Sequence, residues 1–273
     1  MKIQFLGTSA AEGYPALFCK CKNCEKARKL GGKNLRSRSS VLIDDLLLLD
    51  IPPDILSKTQ MLRMDLSMVE ILAITHTHPD HFSYLELNYR RKPFALQDLT
   101  TLYVIANPTA IDIINNFYKD KIDEMKVKLV KAVPFEKYTI RGYILYPIKA
   151  VHITNYENEI PLNYILQKND KVILYACDTG PYTEDTLSFL KKFKFDLIII
   201  ESTLCASNRE YHMSFKDLKN FSAWAKENNI LKDNSRIIAT HFSHVSCPSH
   251  EELEKILGQI GITPAYDFMI INV

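Results

Sequence analysis

The chain has 273 residues, 47% of them hydrophobic and 24% charged, enough to bury a large core without staples. Its formal net charge of +2 excludes a global electrostatic drive toward nucleic acid or anionic membranes, so any anionic substrate must be selected by a local site. No window reaches the roughly 18 apolar residues of a membrane helix, and the opening Met1-Lys2-Ile3-Gln4-Phe5-Leu6-Gly7 lacks the apolar stretch of a signal peptide, so a cytoplasmic protein is expected.

Short apolar strands alternate with amphipathic helices along the chain. Strands are predicted over 2–6, 41–43, 46–50, 70–75 and 102–106, and a helix near 109–118. Strands follow over 140–151 and 171–177, then a helix near 183–193 and a strand over 196–201. A helix near 214–228, a strand over 236–240, a helix near 249–257 and a strand over 265–272 complete the series. Ser214 with Asp217 and Ser249 with Glu252 form capping boxes at two helix starts. Gly261 after the last helix predicts a left-handed residue or a tight turn. With no repeat, low-complexity tract or linker, one α/β layered domain over 1–273 is expected.

Three of the six cysteines crowd into Cys19, Cys21 and Cys24, whereas Cys177, Cys205 and Cys247 are scattered. Without a secretion signal, that clustering favours metal over disulfides. Structural zinc wants four ligands in a closed tetrahedron. A fourth must come from elsewhere, and His244 is the best candidate.

The strongest signal is Thr75-His76-Thr77-His78-Pro79-Asp80-His81, after the apolar run Ile71-Leu72-Ala73-Ile74. A strand ending there points His76 and His78 to the same side. Pro79 turns the chain and brings in Asp80 and His81 from another direction. Four ligands within six residues suit two metals side by side better than one. His152, Asp178 and His241 each follow a further apolar strand, where α/β sheets gather their sites.

The HxHxDH segment and the later strand-end His, Asp and His resemble the metallo-β-lactamase superfamily, from Phe5-Leu6-Gly7-Thr8 to His241. The resemblance implies an αββα sandwich of two similar halves. It implies that His76, His78 and His152 hold a first metal, that Asp80, His81 and His241 hold a second, and that Asp178 bridges them. Asp80 is then a catalytic group as well as a ligand. Two divalent ions, zinc, manganese or iron, about 3.5–4 Å apart lower the pKa of a water between them.

Within the superfamily, Cys19-Lys20-Cys21-Lys22-Asn23-Cys24, Gly13-Tyr14-Pro15 and Thr240-His241-Phe242-Ser243-His244 resemble the PhnP-like phosphoribosyl cyclic phosphodiesterases. That likeness implies one structural zinc on Cys19, Cys21, Cys24 and His244. His212, in Tyr211-His212-Met213-Ser214, resembles the histidine that protonates the leaving oxygen in related phosphodiesterases. Asp50, ending Leu46-Leu47-Leu48-Leu49, resembles an aspartate that orients a metal-site histidine, although Ile51-Pro52-Pro53 departs from the usual small residue there. Arg36 and Arg38 are candidates for substrate phosphate, as are Arg90 and Arg91. His250 reads as an exposed helix residue.

The expected activity is cleavage of a small cyclic or nucleotide-like phosphodiester. Nucleic acid is not an expected partner; a homodimer is compatible with the sequence. A tRNA 3′-end nuclease of the same superfamily shares the FLGTS opening, but the chain lacks a glycine- and proline-rich insertion long enough for a tRNA-gripping arm. A redox enzyme resembling the pyrroloquinoline quinone biosynthesis protein PqqB also carries a cysteine-rich zinc loop. A non-enzymatic binding protein on this fold predicts broken ligands, and none is missing.

Overall fold

A computed structural model describes residues 1–207 and 209–273. The first half runs β1 (Lys2–Gly7), α1 (Lys22–Leu30), β2 (Ser40–Ile43), β3 (Leu47–Leu49), α2 (Ile55–Leu62), β4 (Ile71–Ala73), β5 (Leu102–Ala106), α3 (Pro108–Tyr118) and β6 (Val127–Lys131). The second runs β7 (Tyr138–Ile140), β8 (Tyr143–Lys149), β9 (Leu162–Lys168), β10 (Lys171–Ala176), α4 (Glu184–Leu190), β11 (Phe195–Glu201), α5 (Phe215–Glu227), β12 (Leu231–Thr240), α6 (His250–Gly258), β13 (Ile262–Pro264) and β14 (Ile270–Asn272).

Among the described residues the strands form two seven-stranded sheets, ordered β14-β1-β2-β3-β4-β5-β6 and β13-β12-β11-β10-β9-β8-β7. Each is half antiparallel and half parallel: pairing from β3 to β6 and from β10 to β13 is parallel. Strand alternation sorts the side chains into layers. Phe5, Val41, Leu49 and Ala73 from one sheet meet Leu145, Tyr164, Tyr175 and Ile199 from the other in a central core. On the outer faces, Leu6, Leu48 and Leu72 pack under α2 and α3, while Leu174, Ile198 and Ala239 pack under α4, α5 and α6. This is the αββα sandwich.

Several predicted elements shift. The strand expected over 140–151 is a hairpin, β7 into β8, turned at Arg141 (φ 51°) and Gly142 (φ 80°), the two successive positive angles of a tight two-residue loop. The strand expected over 265–272 survives only as β14, because residues 265–269 lie in a turn region with Phe268 at φ 70°. The helices α1 and α2 and the strands β6, β9 and β13 were not anticipated. Both capping boxes form, at Ser214 and Ser249, and Gly261 takes φ 73°.

Two side-chain readings are corrected. Cys205 and Cys247, scattered in a sequence whose cysteine clustering favoured metal over disulfides, form a disulfide. His250 is buried: its Nδ1 meets Arg36 Nη2 at 2.8 Å and its Nε2 meets Glu254 at 3.0 Å. Exposure was inferred from its place in a capping box, but the α6 N-terminus docks on the Arg36 loop, and His250 N donates to Asn34 at 2.8 Å.

Candidate metal centre

The candidate ligands lie where the strands run out at one end of the sandwich. His76, His78, Asp80 and His81 follow β4; His152 follows β8; Asp178 follows β10; and His241 follows β12. Turning a side chain inward at a strand end takes an abrupt backbone change. Asp50, Asp178 and His241 adopt left-handed φ values of 59°, 57° and 58°. Non-glycine residues held this way cost about 1–3 kcal/mol each and cluster at functional sites.

Three imidazoles converge on one point: His78 Nδ1 lies 2.8 Å from His76 Nε2 and 3.2 Å from His152 Nε2. A second cluster forms beside it, with His81 Nε2 3.3 Å from His241 Nε2 and 3.0 Å from Asp80 Oδ2. Asp178 stands between the two. Its Oδ2 is 3.3 Å from both His76 Nε2 and His152 Nε2, 3.4 Å from His81 Nε2 and 3.8 Å from His241 Nε2. The structure thus gathers His76, His78, His152 and Asp178 into one group that could hold a metal, and Asp80, His81, Asp178 and His241 into another.

Cation binding can be tested on the polar atoms themselves. Asp80 Oδ2 and Asp178 Oδ1 are buried and accept no hydrogen bond. Buried carboxylate oxygens left so are costly unless a cation compensates them. Two imidazoles have a partner for the outer nitrogen. His81 Nδ1 meets Asp50 Oδ2 at 2.8 Å, and His241 Nδ1 meets Thr203 Oγ1 at 2.8 Å; the Thr203 hydroxyl in turn donates to the His241 carbonyl at 3.0 Å. With Nδ1 so engaged, the inner Nε2 of each ring faces the cluster, where a metal would draw its lone pair. Burial pushes the pKa of His76 down, with His81 adding to it, and brings His152 down to about 4, so both are neutral donors at pH 7. His81 and His241 are buried too, but adjacent aspartates outweigh the burial and raise their pKa. The donor set fits divalent cations of the zinc, manganese or iron type.

Asp50 is fully buried, at 0% exposure, and also accepts from Thr75 N at 2.8 Å, fixing the start of the histidine segment. Glu201, a strand-end carboxylate that sequence reasoning missed, is equally buried. It accepts from Thr203 N at 2.6 Å and Thr179 N at 3.2 Å, and it meets His212 Nδ1 at 2.9 Å. His212 Nδ1 is also 3.0 Å from Asp178 Oδ1. Burial works against protonation of His212, but Asp178 and Glu201 overcome it and raise its pKa to about 10. The signal for Glu201 was present, since it ends β11 as Asp178 follows β10.

Cys19, Cys21, Cys24 and His244 also come together, all four ligand atoms within 4.8 Å of one another. Burial opposes ionisation of Cys21, yet the Cys24 backbone N–H and His244 bring its thiol down to about 6.

The expectation for Arg36 is corrected, and the other arginines have protein partners. Arg36 is buried and donates to Thr8 Oγ1 at 2.9 Å and the Ala265 carbonyl at 2.6 Å, with its guanidinium over the Phe242 ring, so it braces the fold and cannot reach a substrate. Arg90 serves the carbonyls of Thr100 and Met125, and Arg91 pairs with Glu124. Arg38 is tied to the Ala11 carbonyl and Asp54.

The family description "Beta-lactamase superfamily domain" matches residues 46–242, well over half of the chain. The protein belongs to the metallo-β-lactamase superfamily of metal-dependent hydrolases. Among solved structures, a diphosphatase from the PhnP family is similar in fold, with TM-score 0.74 and 20% identity over 99% of this chain and 97% of that one. Zinc-bound PqqB from Methylobacterium extorquens has TM-score 0.73 and 16% identity, covering 100% of both chains. Human tRNase Z, short form, has TM-score 0.68 and 18% identity, covering 100% and 99%. No curated protein matches.

Proposed function

We propose that the protein is a phosphodiesterase with a dinuclear metal centre, acting on a small cyclic or nucleotide-like phosphodiester. Divalent cations at such a centre supply Lewis acidity and lower the pKa of water. The rest is done by the chain. Asp178, facing both histidine clusters, would be shared by cations held in the two groups, and Asp80 would add charge to the second.

The observation that carries the reading is His212. Cleaving a phosphodiester to an alcohol requires a proton on the departing oxygen. His212 is a quarter exposed, its Nδ1 is held by Glu201 with the Asp178 carboxylate alongside, and its Nε2, which makes no hydrogen bond among the described residues, is placed to deliver that proton. Hydrolysis of an activated ring amide makes less demand on such an acid. No arginine among those considered is needed to neutralise phosphate, since that charge falls to the cations. The PhnP-family neighbour is described as a diphosphatase, which adds phosphoanhydrides to the substrates worth assaying.

We also assign a structural zinc to Cys19, Cys21, Cys24 and His244, closed by four protein ligands. Asn23 Nδ2 donates to the His244 carbonyl at 2.9 Å, so the zinc loop and the segment carrying His241 are already joined there.

The test is metal analysis together with assays on bis(p-nitrophenyl) phosphate, a 2′,3′-cyclic nucleotide, 5-phosphoribosyl 1,2-cyclic phosphate and a diphosphate ester. Turnover of a diester by protein carrying the cation pair supports the reading. Silence on every diester with the pair bound overturns it, and cleavage of precursor tRNA in preference to the small diesters would favour the nuclease reading.

A further inference from the structure

The three histidines of the first cation group are not held alike. His76 Nδ1 meets Thr75 Oγ1 at 3.0 Å, and His152 Nδ1 meets the Tyr211 carbonyl at 3.3 Å. The outer nitrogen of His78 makes no hydrogen bond among the described residues. A metal-ligating histidine ordinarily has such a partner, which sets its ring orientation. What fixes His78 must therefore act through its backbone.

The residue between the two ligands is Thr77, and its side chain points away from them. It points at Glu159. Glu159 Oε1 accepts from Thr77 N at 2.9 Å, and Oε2 accepts from the Thr77 hydroxyl at 2.5 Å. Asn107 Nδ2 donates to the same Oε1 at 2.8 Å, while Asn107 Oδ1 caps α3 by accepting from Ala110 N at 2.9 Å. Glu159 is 7% exposed, and no cationic side chain pairs with it among the described residues. Its three donors and the nearby α3 N-terminus make the buried carboxylate tolerable.

Glu159 also lies seven residues after His152, in the connection to β9. At the far end of that connection, Leu162 N donates to the Thr75 carbonyl at 2.8 Å. The loop bearing the third ligand is thus fastened twice to the segment bearing the first two.

We infer that Glu159 is a positioning residue for the first cation site, fixing the spread between His76 and His78 through Thr77 and tying both to the His152 loop. The inference rests on the metal reading of these histidines but not on the choice of substrate. It predicts a geometric need rather than a need for charge. A glutamine can keep every bond, accepting from Thr77 N and Asn107 Nδ2 with its oxygen and donating to Thr77 Oγ1 with its amide.

The test compares wild-type holoprotein with Glu159→Gln, Glu159→Ala and Asn107→Asp. Asn107→Asp keeps the α3 cap but sets a second carboxylate against Glu159. Metal retention is measured against graded chelator, and cobalt(II) is then restored and its visible spectrum recorded. Thiolate charge-transfer absorption separates the cysteine site from the histidine sites. Glu159→Ala is expected to weaken one ion of the pair roughly 10–100-fold and alter its cobalt spectrum, while the cysteine-site ion stays. Asn107→Asp should move the same way, and Glu159→Gln should stay near wild type.

Wild-type affinity and spectrum in both Glu159→Ala and Asn107→Asp would overturn the inference. So would metal loss that only tracks loss of folded protein, or a Glu159→Gln as impaired as Glu159→Ala. Wild-type protein that holds no ion pair would instead sink the metal reading, and the inference with it.

Discussion

His212 and His250 show how two histidines with opposite surroundings acquire opposite roles. Asp178 and Glu201 raise the pKa of His212 to about 10 against the effect of burial, the direction an acid needs. His212→Ala should lower kcat by about 10²–10⁴-fold on a diester with an alkyl leaving group. The loss should be far smaller with p-nitrophenolate, which departs without a proton. Equal losses on both, measured at saturating substrate, would remove His212 as the acid. His250 is buried against Arg36, and burial followed by that positive charge lowers its pKa to about 4. It is then neutral when folded but protonates at its ordinary value of about 6.5 when unfolded. Its contribution to stability is complete above that ordinary value and is lost as pH falls toward 4. The drop in melting temperature between those pH values should be smaller in His250→Gln than in wild type; an identical drop would contradict it. The candidate metal ligands were legible because each follows an apolar strand. Glu201 offered the same cue. Glu159 sits in a loop with no flanking pattern, and only tertiary packing gives it a role. Arg36 misled because an arginine in a serine-rich stretch reads as a phosphate binder, while its burial depends on α6 and the chain after β13.

Capped and strongly periodic elements were legible; α1 and α2 were not. Cys21 and Asp54 precede them without side-chain caps, and α1 is dominated by charged residues, so neither pattern nor start signal stands out. In β9 the buried Asn163 interrupts the apolar run, yet its amide donates to the Cys177 carbonyl at 2.7 Å and its Oδ1 accepts from Tyr182. The segment after β12 is braced from two sides. The Cys205–Cys247 disulfide joins it to the loop after β11, and the cysteine cluster before α1 meets it at His244. His244→Ala should lower the zinc count by one and loosen His241. An unchanged count by metal analysis would refute His244 as a ligand.

At the scale of the molecule, both sheets contribute to one centre. The first supplies His76, His78, Asp80 and His81; the second supplies His152, Asp178 and His241. The layered fold was legible from the alternation of elements, whereas strand order and the edge strands β6, β7 and β13 depend on pairings distant in sequence. Because the proposed cations join the two halves and compensate Asp80 and Asp178, their removal should destabilise the whole domain. Each ion at a hundred times its Kd contributes about 2.7 kcal/mol, so chelation should lower the melting temperature by several degrees. The most direct measurement is anomalous diffraction from crystals of the metal-loaded protein. The account predicts two peaks about 3.5–4 Å apart, one among His76, His78 and His152, the other among Asp80, His81 and His241, with Asp178 touching both. A single peak there, or none, under metal excess would contradict it.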